Sequence, residues 1–283
     1  MLIVSWNIDG TSKPKIDRLL YLVAKDSPDI VFLNETKTKI EVLEPLFKSA
    51  FPAYDFLFNP HRPSNMHGIV MMIKKELKEL TDYTWSTYDL SFSIPVRSDN
   101  KSINKDSKCG RILAIKLFSS NLKDIIYIIA TYTPNSGVDP FNPLKNLAYR
   151  VDTWDREFFN SIKKIKEDEP DAEIIWIGDI NVALHDIDVF NPKKCFNRAG
   201  FTLEERNSIN TFLQETNFVD IWRLQHPTEQ RFTYKGYKPS SQKLRLDNCI
   251  VSPNLVAKIK ESKIYNDSDF CESDHNPISI VLE

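Results

Sequence analysis

Short apolar runs of strand length recur along this chain, and segments with a helical spacing of apolar residues lie between several of them. The runs are rich in Ile, Leu and Val, and polar or turn-forming residues bound them. Strands that alternate with helices predict an α/β protein built from layers of sheet and helix. The predicted strands are residues 2–5, 30–33, 69–73, 112–117, 125–130, 174–177, 246–251 and 278–282, and the predicted helices are residues 15–25, 145–166 and 203–214.

Polar side chains follow four of the predicted strands, at the point where each strand ends. If these strands share one sheet and one direction, their carboxyl ends converge, which is where open α/β sheets bind ligands. Asp and Asn also begin many turns after strands, but four such clusters in one chain favour a ligand site. The residues concerned are Asn7, Asp9, Glu35, Tyr132, Asn135, Asp179 and Asn181.

Near the carboxyl end, Asp274 and His275 stand side by side before Pro277 and an apolar run. Phosphate hydrolysis needs a metal ligand and a hydrogen-bond donor for the phosphate oxygens, and this pair has both groups. An Asp-His pair before a proline is also typical of a polar turn. The pair alone leaves both interpretations open, so the catalytic one depends on the acidic clusters upstream.

Length and composition indicate an ordinary globular protein. The chain has 283 residues, 41% hydrophobic and 27% charged, and we expect one domain spanning residues 1–283. The net charge is -2, so contact with a polyanion must come from a local patch. No apolar run approaches the ~20 residues of a membrane helix, and the cysteines show no paired spacing. We expect an intracellular, soluble protein and leave nucleus or cytoplasm open.

Six short motifs contain most of the polar residues named above. They are residues 6–10 (WNIDG), 34–37 (NETK), 131–135 (TYTPN), 178–181 (GDIN), 245–247 (RLD) and 273–275 (SDH). Their order and rough spacing resemble the exonuclease III type of abasic-site (AP) endonuclease, in the endonuclease/exonuclease/phosphatase superfamily. The resemblance runs over residues 2–282, and residues 200–206 also resemble a stretch of that branch.

The resemblance implies a fold and an activity. The implied fold is the deoxyribonuclease I-like four-layer α/β sandwich, in which two packed mixed β-sheets are flanked by helices. The implied activity is that of a metal-dependent DNA phosphodiesterase of base excision repair, which incises 5′ to abasic sites and has 3′ phosphodiesterase and 3′ to 5′ exonuclease activity. Its partner would be duplex DNA with abasic or 3′-blocked sites. We expect a monomer that does not bind membranes.

Carboxylate oxygens are hard ligands that suit Mg²⁺, which keeps several waters in its coordination shell. The resemblance implies that Glu35 is the principal ligand of Mg²⁺, with Mn²⁺ as the alternative, and that Asp9 and Asp274 contribute directly or through water. It leaves open whether one or two ions act. Asn7 would orient its acidic neighbours. Tyr132 resembles the tyrosine that contacts the phosphate or assists the leaving oxygen.

The remaining catalytic roles can be argued from chemistry and from the resemblance. A carboxylate fixed after a buried strand has a defined direction, so Asp179 is expected to orient or deprotonate the attacking water, with Asn181 steadying it. His275 is expected to donate to a nonbridging phosphate oxygen. Asp247 would hold the other ring nitrogen of His275 and so fix its tautomer and charge.

Basic residues are concentrated in the segments that flank these motifs. Lys and Arg there would neutralise phosphates without reading bases, although each of them singly is typical of a solvated surface. The expected DNA contacts are Arg62, Lys101, Lys105, Lys108, Lys193, Lys194, Arg198, Lys235, Lys238 and Lys243.

The resemblance also implies a pocket for an extruded sugar. Phe232, Leu244 and Leu246 are expected to line it, but Arg231 and Leu244 stand where abasic-site enzymes have aromatic residues. Two other functions stay open: a phosphodiesterase acting on RNA or on phospholipids such as phosphoinositides, and a nucleic-acid-binding module without catalysis. Residues 200–206 and the lack of a membrane-binding segment disfavour lipids. The full set of acidic and imidazole groups disfavours a binding module.

Overall fold

The computed structural model describes residues 1–60, 66–77, 83–90, 110–119, 124–137, 141–237 and 242–283. Within these ranges the chain forms two six-stranded β-sheets with helices packed on them. The strands are β1 Leu2–Asn7, β2 Ile30–Asn34, β3 Tyr54–Asn59, β4 Ile69–Lys74, β5 Tyr83–Thr87, β6 Ile112–Ser119, β7 Ile125–Tyr132, β8 Glu173–Asp179, β9 Val219–Asp220, β10 Asp247–Val251, β11 Ile259–Ile264 and β12 Ile278–Leu282. The α-helices are α1 Lys13–Asp26, α2 Ile40–Ala50, α3 Arg156–Asp168, α4 Pro192–Cys195, α5 Leu203–Thr216 and α6 Ile221–Gln225, and a π-helix, Tyr149–Asp155, leads into α3.

Both sheets are mixed. The first has the order β11-β12-β1-β2-β4-β3, and the second has the order β5-β6-β7-β8-β10-β9. Each contains one parallel pair near its centre, β1 with β2 and β7 with β8, while the other pairs are antiparallel. The carboxyl ends of these parallel pairs are therefore the ends that carry the polar motifs.

The two sheets pack face to face around a shared apolar core. Ile3 and Phe32 of the first sheet belong to the same buried cluster as Ile128 and Ile177 of the second. Because successive residues of a strand point to opposite faces, the alternate positions pack outward instead, against α1 and α2 on one side and α3 and α5 on the other. The order of layers is helix, sheet, sheet, helix, and the predicted four-layer sandwich is confirmed.

All eight predicted strands are present, and most extend one or two residues further than their apolar runs. The pattern missed β3, β5, β9 and β11. In β11, Ile259–Ile264, charged residues alternate with buried ones at the edge of a sheet, so no apolar run marks the strand. Helix α2 was also missed, because Pro45 lies inside it and proline disfavours a helix interior.

Gly178, in β8, allows the centre of the second sheet to pack closely. Its φ is +133°, and a Cβ atom there would lie 2.3 Å from the carbonyl oxygen of Thr131 on β7. Gly178→Ala is therefore expected to lower the free energy of unfolding by about 2–3 kcal/mol, through strain and displacement of β7. Gly10→Ala is the control, because Gly10 also has a positive φ but its nearest heavy atom would be 3.9 Å away. Urea denaturation of both variants measures the difference, and equal losses would contradict the role given to the contact.

Candidate active site

The polar motifs of both sheets meet at one edge of the sandwich. The Asn7 side chain, at the end of β1, donates through Nδ2 to Asp179 Oδ2 at the end of β8, at 3.0 Å. In the second sheet, Asp179 lies beside Tyr132 on one side and Asp247 on the other. The strands that carry these residues belong to two sheets rather than to one. Their ends converge because two packed sheets present their parallel pairs at the same edge.

Asp179 is held in one orientation. Its Oδ2 accepts from Asn7, and its Oδ1 accepts from the backbone N–H of Asn181 at 2.9 Å. Asn181 adopts a left-handed conformation with φ 54°, donates to the carbonyl of Thr133 at 2.8 Å and accepts from Asn135 at 3.0 Å. The carboxylate and amide after β8 therefore form one rigid unit with a fixed direction.

His275 lies opposite this unit and is paired with Asp247. Its Nδ1 is 2.6 Å from Asp247 Oδ2, and its Nε2 is 3.9 Å from Asp179 Oδ2. The backbone N–H of Asp247 donates to the hydroxyl of Thr233 at 2.9 Å, while Trp6 donates to the carbonyl of His275 at 3.0 Å. The imidazole is fixed by both sheets and presents Nε2 to the cleft beside Asp179.

Burial and charge together set the protonation of this group. Burial and the nearby Asp247 raise the pKa of Asp179 to about 7. Burial opposes a charged imidazole at His275, but the adjacent Asp247 outweighs it and raises the pKa of His275 to about 10. At neutral pH the imidazole is therefore a cation, which can donate from Nε2, while a substantial fraction of Asp179 is ionised and able to accept a proton.

A second acidic group surrounds Asp9 and Glu35. The Lys37 ammonium lies between them, 2.5 Å from Asp9 Oδ1 and 2.6 Å from Glu35 Oε2. The hydroxyl of Tyr237 donates to Asp9 Oδ2, and Lys15 donates to the backbone carbonyl of Asp9. Burial raises the pKa of Asp9, but the bonds from Lys37 and Tyr237 outweigh it and lower the pKa overall.

Asp274 adds a third carboxylate to this corner of the cleft. Burial raises the pKa of Asp274, and the charges of Asp9 and Glu35 raise it further, so the three groups lie within electrostatic reach of one another. The Lys37 ammonium lies between Asp9 and Glu35, which shows that the space between these two carboxylates favours a cation. A set of oxygen donors suits Mg²⁺ or Mn²⁺, so these residues fit the predicted metal.

The described residues also include a second group that could hold a cation. One ligand atom each from Asp179, Asp247 and His275 lie within 4.8 Å of one another, and all three residues are buried. The Nδ1 of His275 already bonds Asp247, and the pKa of His275 is raised, so a proton competes with a metal ion for this imidazole. The carboxylates around Glu35 are the better metal candidate.

Tyr132, at the end of β7, has the guanidinium of Arg111 stacked over its ring. The Arg111 guanidinium lies 5.0 Å from the ring centroid of Tyr132 and donates to its carbonyl oxygen at 3.0 Å. Arg111 also lies 2.8 Å from Nε2 of His67. Burial, with the nearby charge of Glu35, raises the pKa of Tyr132 well above its ordinary value, so the phenol keeps its proton. The sequence did not identify Arg111 as a site residue. The one feature that could have done so is its position as a cation just before the apolar strand β6.

The residues expected to line a sugar pocket lie beside His275. Leu244 and Leu246 are buried in a small apolar cluster, and Tyr234 packs against it while its ring lies 5.2 Å from the imidazole of His275. Phe232 lies at the outer side, with its ring 6.2 Å from that of Phe190. Tyr234 therefore places an aromatic ring against the imidazole, a position that the sequence did not assign to it. The other members of the cluster are Ala183, Val189, Cys195 and Phe201.

Arg231 does not belong to this apolar cluster. Its guanidinium donates to Asn266 at 2.9 Å and lies 3.8 Å from Glu229. It therefore belongs to the surface beside Phe232 rather than to the apolar wall.

One family model, described as the Endonuclease/Exonuclease/phosphatase family, matches residues 4–275. The chain belongs to this family. A DNA-(apurinic or apyrimidinic site) endonuclease from Dictyostelium discoideum is 32% identical to this chain over 290 residues, and the match covers 100% of this chain and 71% of that protein. An exodeoxyribonuclease from Bacillus subtilis is 27% identical, covering 100% of this chain and 99% of that protein. The predicted family is confirmed.

Solved structures of the Endonuclease/Exonuclease/phosphatase family share the fold. An AP endonuclease from Leishmania major superposes with a TM-score of 0.82 at 23% identity, covering 100% of this chain and 87% of that one. A 3′-5′ exonuclease from Neisseria meningitidis gives a TM-score of 0.76 at 20% identity, and the match covers 100% of both chains.

Among the described residues, no helix combines the length and the apolar character that a membrane span requires.

The basic residues expected at a DNA surface fall into three groups. Lys193, Lys194 and Arg198 are exposed in and just after α4. Lys243 lies 3.8 Å from Asp267 at the surface. Lys235 is partly buried, and its ammonium donates to protein oxygens of residues 270 and 276, at 2.7 Å each. Arg62, Lys101, Lys105, Lys108 and Lys238 lie outside the described residues.

Proposed function

We propose that this protein is a divalent-metal-dependent DNA repair hydrolase, which cuts the backbone 5′ to an abasic site and leaves 3′-hydroxyl and 5′-deoxyribose phosphate ends. The observation that carries the proposal is the buried pair of Asp179 and His275, in which His275 Nε2 lies 3.9 Å from Asp179 Oδ2 and His275 Nδ1 lies 2.6 Å from Asp247. A base and a cationic donor facing one cleft are what hydrolysis of a phosphodiester requires. Relatives named as AP endonucleases and exodeoxyribonucleases support DNA as the substrate.

Asp179 is the proposed base. Its two oxygens are oriented by Asn7 and by the backbone of Asn181, so a water bonded to the carboxylate has a defined direction of approach to phosphorus. Loss of a proton to Asp179 makes that water a nucleophile, and the raised pKa of the carboxyl suits it to this transfer near neutral pH. Asn181 steadies the arrangement through its bonds to Thr133 and Asn135.

His275 is the proposed donor to the phosphate. Its Nε2 proton points into the cleft, and the negative charge on the nonbridging oxygens grows as the water attacks. Asp247, bonded to Nδ1 at 2.6 Å, keeps the imidazole charged and in one orientation. The Tyr132 phenol and the Arg111 guanidinium over its ring lie at the same edge and are proposed to contact the phosphate or the leaving oxygen.

Glu35, Asp9 and Asp274 are the residues that would hold Mg²⁺, with Mn²⁺ as the alternative. When bound, the ion would neutralise charge on the phosphate and on the leaving oxygen. Lys37 bonds both Glu35 and Asp9, so it holds the two carboxylates in place against their mutual repulsion.

The preference for a baseless sugar is proposed to come from the apolar wall of Leu244, Leu246 and Tyr234 beside His275. A deoxyribose without its base is small and partly apolar, so it can enter a pocket that an intact nucleotide cannot. Phe232 forms the outer side. The protein is proposed to act as a monomer on duplex DNA with abasic sites.

Trimming of 3′ ends is proposed as a further activity of the same site. The exodeoxyribonuclease of Bacillus subtilis and a 3′ phosphatase from Neisseria, solved with a product DNA hairpin, support it. The same base and donor would serve, because hydrolysis at a blocked 3′ end also requires water to attack phosphorus while negative charge on the nonbridging oxygens is stabilised.

The test is incubation of the purified protein with a duplex that contains a tetrahydrofuran site, with Mg²⁺ or with a chelator, beside an undamaged duplex and a duplex with a 3′-blocked end. We expect Mg²⁺-dependent incision at the tetrahydrofuran and slower trimming of the blocked end. Failure to incise with any divalent metal would overturn the proposal. Release of phosphate or phosphocholine from lipid substrates, with DNA intact, would replace it with the alternative substrate class.

The incision rate is expected to fall as pH is lowered through the pKa of Asp179. Burial and the charge of Asp247 raise this pKa to about 7, and only the ionised carboxylate can accept a proton. A cation beside Glu35 favours ionisation, so the midpoint of the acidic limb is expected at or below that value. Initial rates measured across the pH range at saturating substrate give this midpoint, and a rate that does not fall in acid would contradict the role of Asp179 as base.

A further inference from the structure

Residues 190–198, which we call the aromatic-basic segment, place exposed rings among exposed cations. Phe190 is 63% exposed and Phe196 is 57% exposed. Lys193, Lys194 and Arg198 are also exposed, and none of the three forms an ion pair with another residue in the part of the chain that the structure describes. Large apolar side chains left in water beside unpaired cations mark a surface that binds something anionic with flat apolar faces.

The segment is firmly anchored beneath its exposed side chains. The backbone N–H of Phe190 donates to the carbonyl of Lys243 at 2.9 Å, and the ring of Phe190 packs edge-on against Phe232. Cys195 is buried in the apolar cluster with Leu244. The two rings therefore project from a fixed base, which keeps the entropy cost of ordering them on binding low.

The segment also lies at a definable distance from the catalytic imidazole. Antiparallel bridges pair Val189 with Leu244, Leu244 with Tyr234, and Tyr234 with His275. Neighbouring strands lie ~4.8 Å apart, so three spacings place the start of the segment roughly 14 Å from His275. Stacked nucleotides rise about 3.4 Å each along a strand, so this distance corresponds to about four nucleotides.

We propose that Phe190 stacks on an unpaired base about four nucleotides from the cleaved phosphate, that Phe196 stacks on a further unpaired base, and that Lys193, Lys194 and Arg198 neutralise the neighbouring phosphates. In a closed duplex the base faces are covered by their neighbours, so an aromatic side chain at a surface can stack only where bases are frayed or single-stranded. The substrate class is therefore DNA with an unpaired stretch beside the lesion or the 3′ end. The inference rests on the proposed function, because the distance is counted from His275.

Binding without cleavage tests the proposal. Fluorescence of 2-aminopurine, placed two to six nucleotides from a tetrahydrofuran site, is followed in the presence of chelator, in a frayed duplex and in a fully paired one. We expect quenching in the frayed duplex only. Phe190→Ala with Phe196→Ala should abolish the quenching and weaken binding to the frayed duplex roughly 10- to 100-fold, while binding to the paired duplex changes less than about threefold.

Matched variants separate stacking from other effects. Phe118→Ala is the control, because Phe118 is also an exposed phenylalanine, on β6 in the second sheet, and it should change neither affinity. Phe190→Trp with Phe196→Trp should restore quenching. Lys193→Gln with Lys194→Gln should weaken binding to both duplexes. The slope of the logarithm of the binding constant against the logarithm of the salt concentration should fall by the equivalent of about two phosphate contacts.

Other outcomes overturn the inference. Equal weakening for frayed and paired duplexes would mean that the segment contacts only the backbone. Unchanged binding would exclude it from the DNA surface. If the protein sediments as a dimer and the double alanine variant as a monomer, the rings bind a second copy of the chain. Stacking is read without metal, so absence of incision would refute the proposed function while quenching in the frayed duplex would still support the segment as a DNA-binding surface.

Discussion

Asp179→Asn is expected to reduce the rate of incision at a tetrahydrofuran site by about 10³-fold or more. An amide cannot accept a proton from the attacking water, and its nitrogen would face the Nδ2 group that now donates from Asn7 to the carboxylate at 3.0 Å. The side chain keeps its size, so the fold should persist. The loss should appear in kcat, because the base acts on the water after the substrate has bound.

DNA binding should survive this change. Removal of a buried negative charge, which lies near Asp247 and Glu35, lowers repulsion toward the phosphate, so affinity for a fluorescent tetrahydrofuran duplex in chelator should be equal or higher. Asp168→Asn is the matched control, because that carboxylate is 60% exposed at the end of α3 and pairs with Lys164. Full activity of the Asp179 variant, or a loss explained entirely by KM, would remove Asp179 from the role of base.

Arg245→Met is expected to lower the free energy of unfolding by about 3–5 kcal/mol. Arg245 is fully buried, and its guanidinium bonds Asp188 at 2.7 Å and Asp220 at 2.6 Å. Methionine would fill part of the space but leave the two buried carboxylates with less compensation. The backbone of Arg245 lies between Leu244 and Leu246, so the apolar wall should also shift.

Urea denaturation followed by tryptophan fluorescence measures the loss. Arg156→Met is the control, because Arg156 is 61% exposed and paired with Glu157 at the surface, and it should change stability by less than about 0.5 kcal/mol. If Arg245→Met does not fold, Arg245→Lys keeps the charge and should lose less. Adding Asp188→Asn to Arg245→Met should recover part of the loss, and no recovery would contradict the ion network as the cause.

The wild-type ion network also carries a pH signature. Burial raises the pKa of Asp188, but Arg245 and Arg223 outweigh it and hold the pKa below its ordinary value. A carboxyl with a lowered folded-state pKa stabilises the fold at neutral pH, and this contribution is lost as the pH falls through that lowered pKa. The Arg245 variants should therefore lose less stability in acid than the wild type does.

Much of the fold followed from local patterns. Eight strands and three helices were marked by apolar runs and helical spacing, because a strand buried on both faces is a short continuous apolar run and a helix buried on one face has a period of 3.6. The missed strand β11 shows the limit, since its exposed Lys260, Glu261 and Lys263 at a sheet edge look like surface. Helix α2 shows another, because Pro45 lies within it and the helix is stabilised by packing of Leu43 and Phe47.

The candidate site followed from motifs rather than from periodicity. Asp179, Asn181, Asp247 and His275 could be named because their types and order resemble a family with that chemistry. In the structure Asp179 bonds the backbone of Asn181, His275 bonds Asp247, and His275 Nε2 lies 3.9 Å from Asp179. Arg111 was missed because its role depends on Tyr132, which is distant in the chain and adjacent across two paired strands. Tyr234 was missed because a partly polar loop gives no sign that its ring packs on an imidazole.

The sequence by itself determined which functional groups are present, where each follows its strand, and that the chain alternates sheet with helix. Tertiary structure alone decided that two sheets bring these groups to one edge, that Lys37 lies between two carboxylates, that Lys235 bonds protein oxygens, and that Phe190 and Phe196 remain exposed. The physical reason is that residue type and spacing report on local burial. Distance, desolvation and charge coupling arise between residues that only packing makes neighbours.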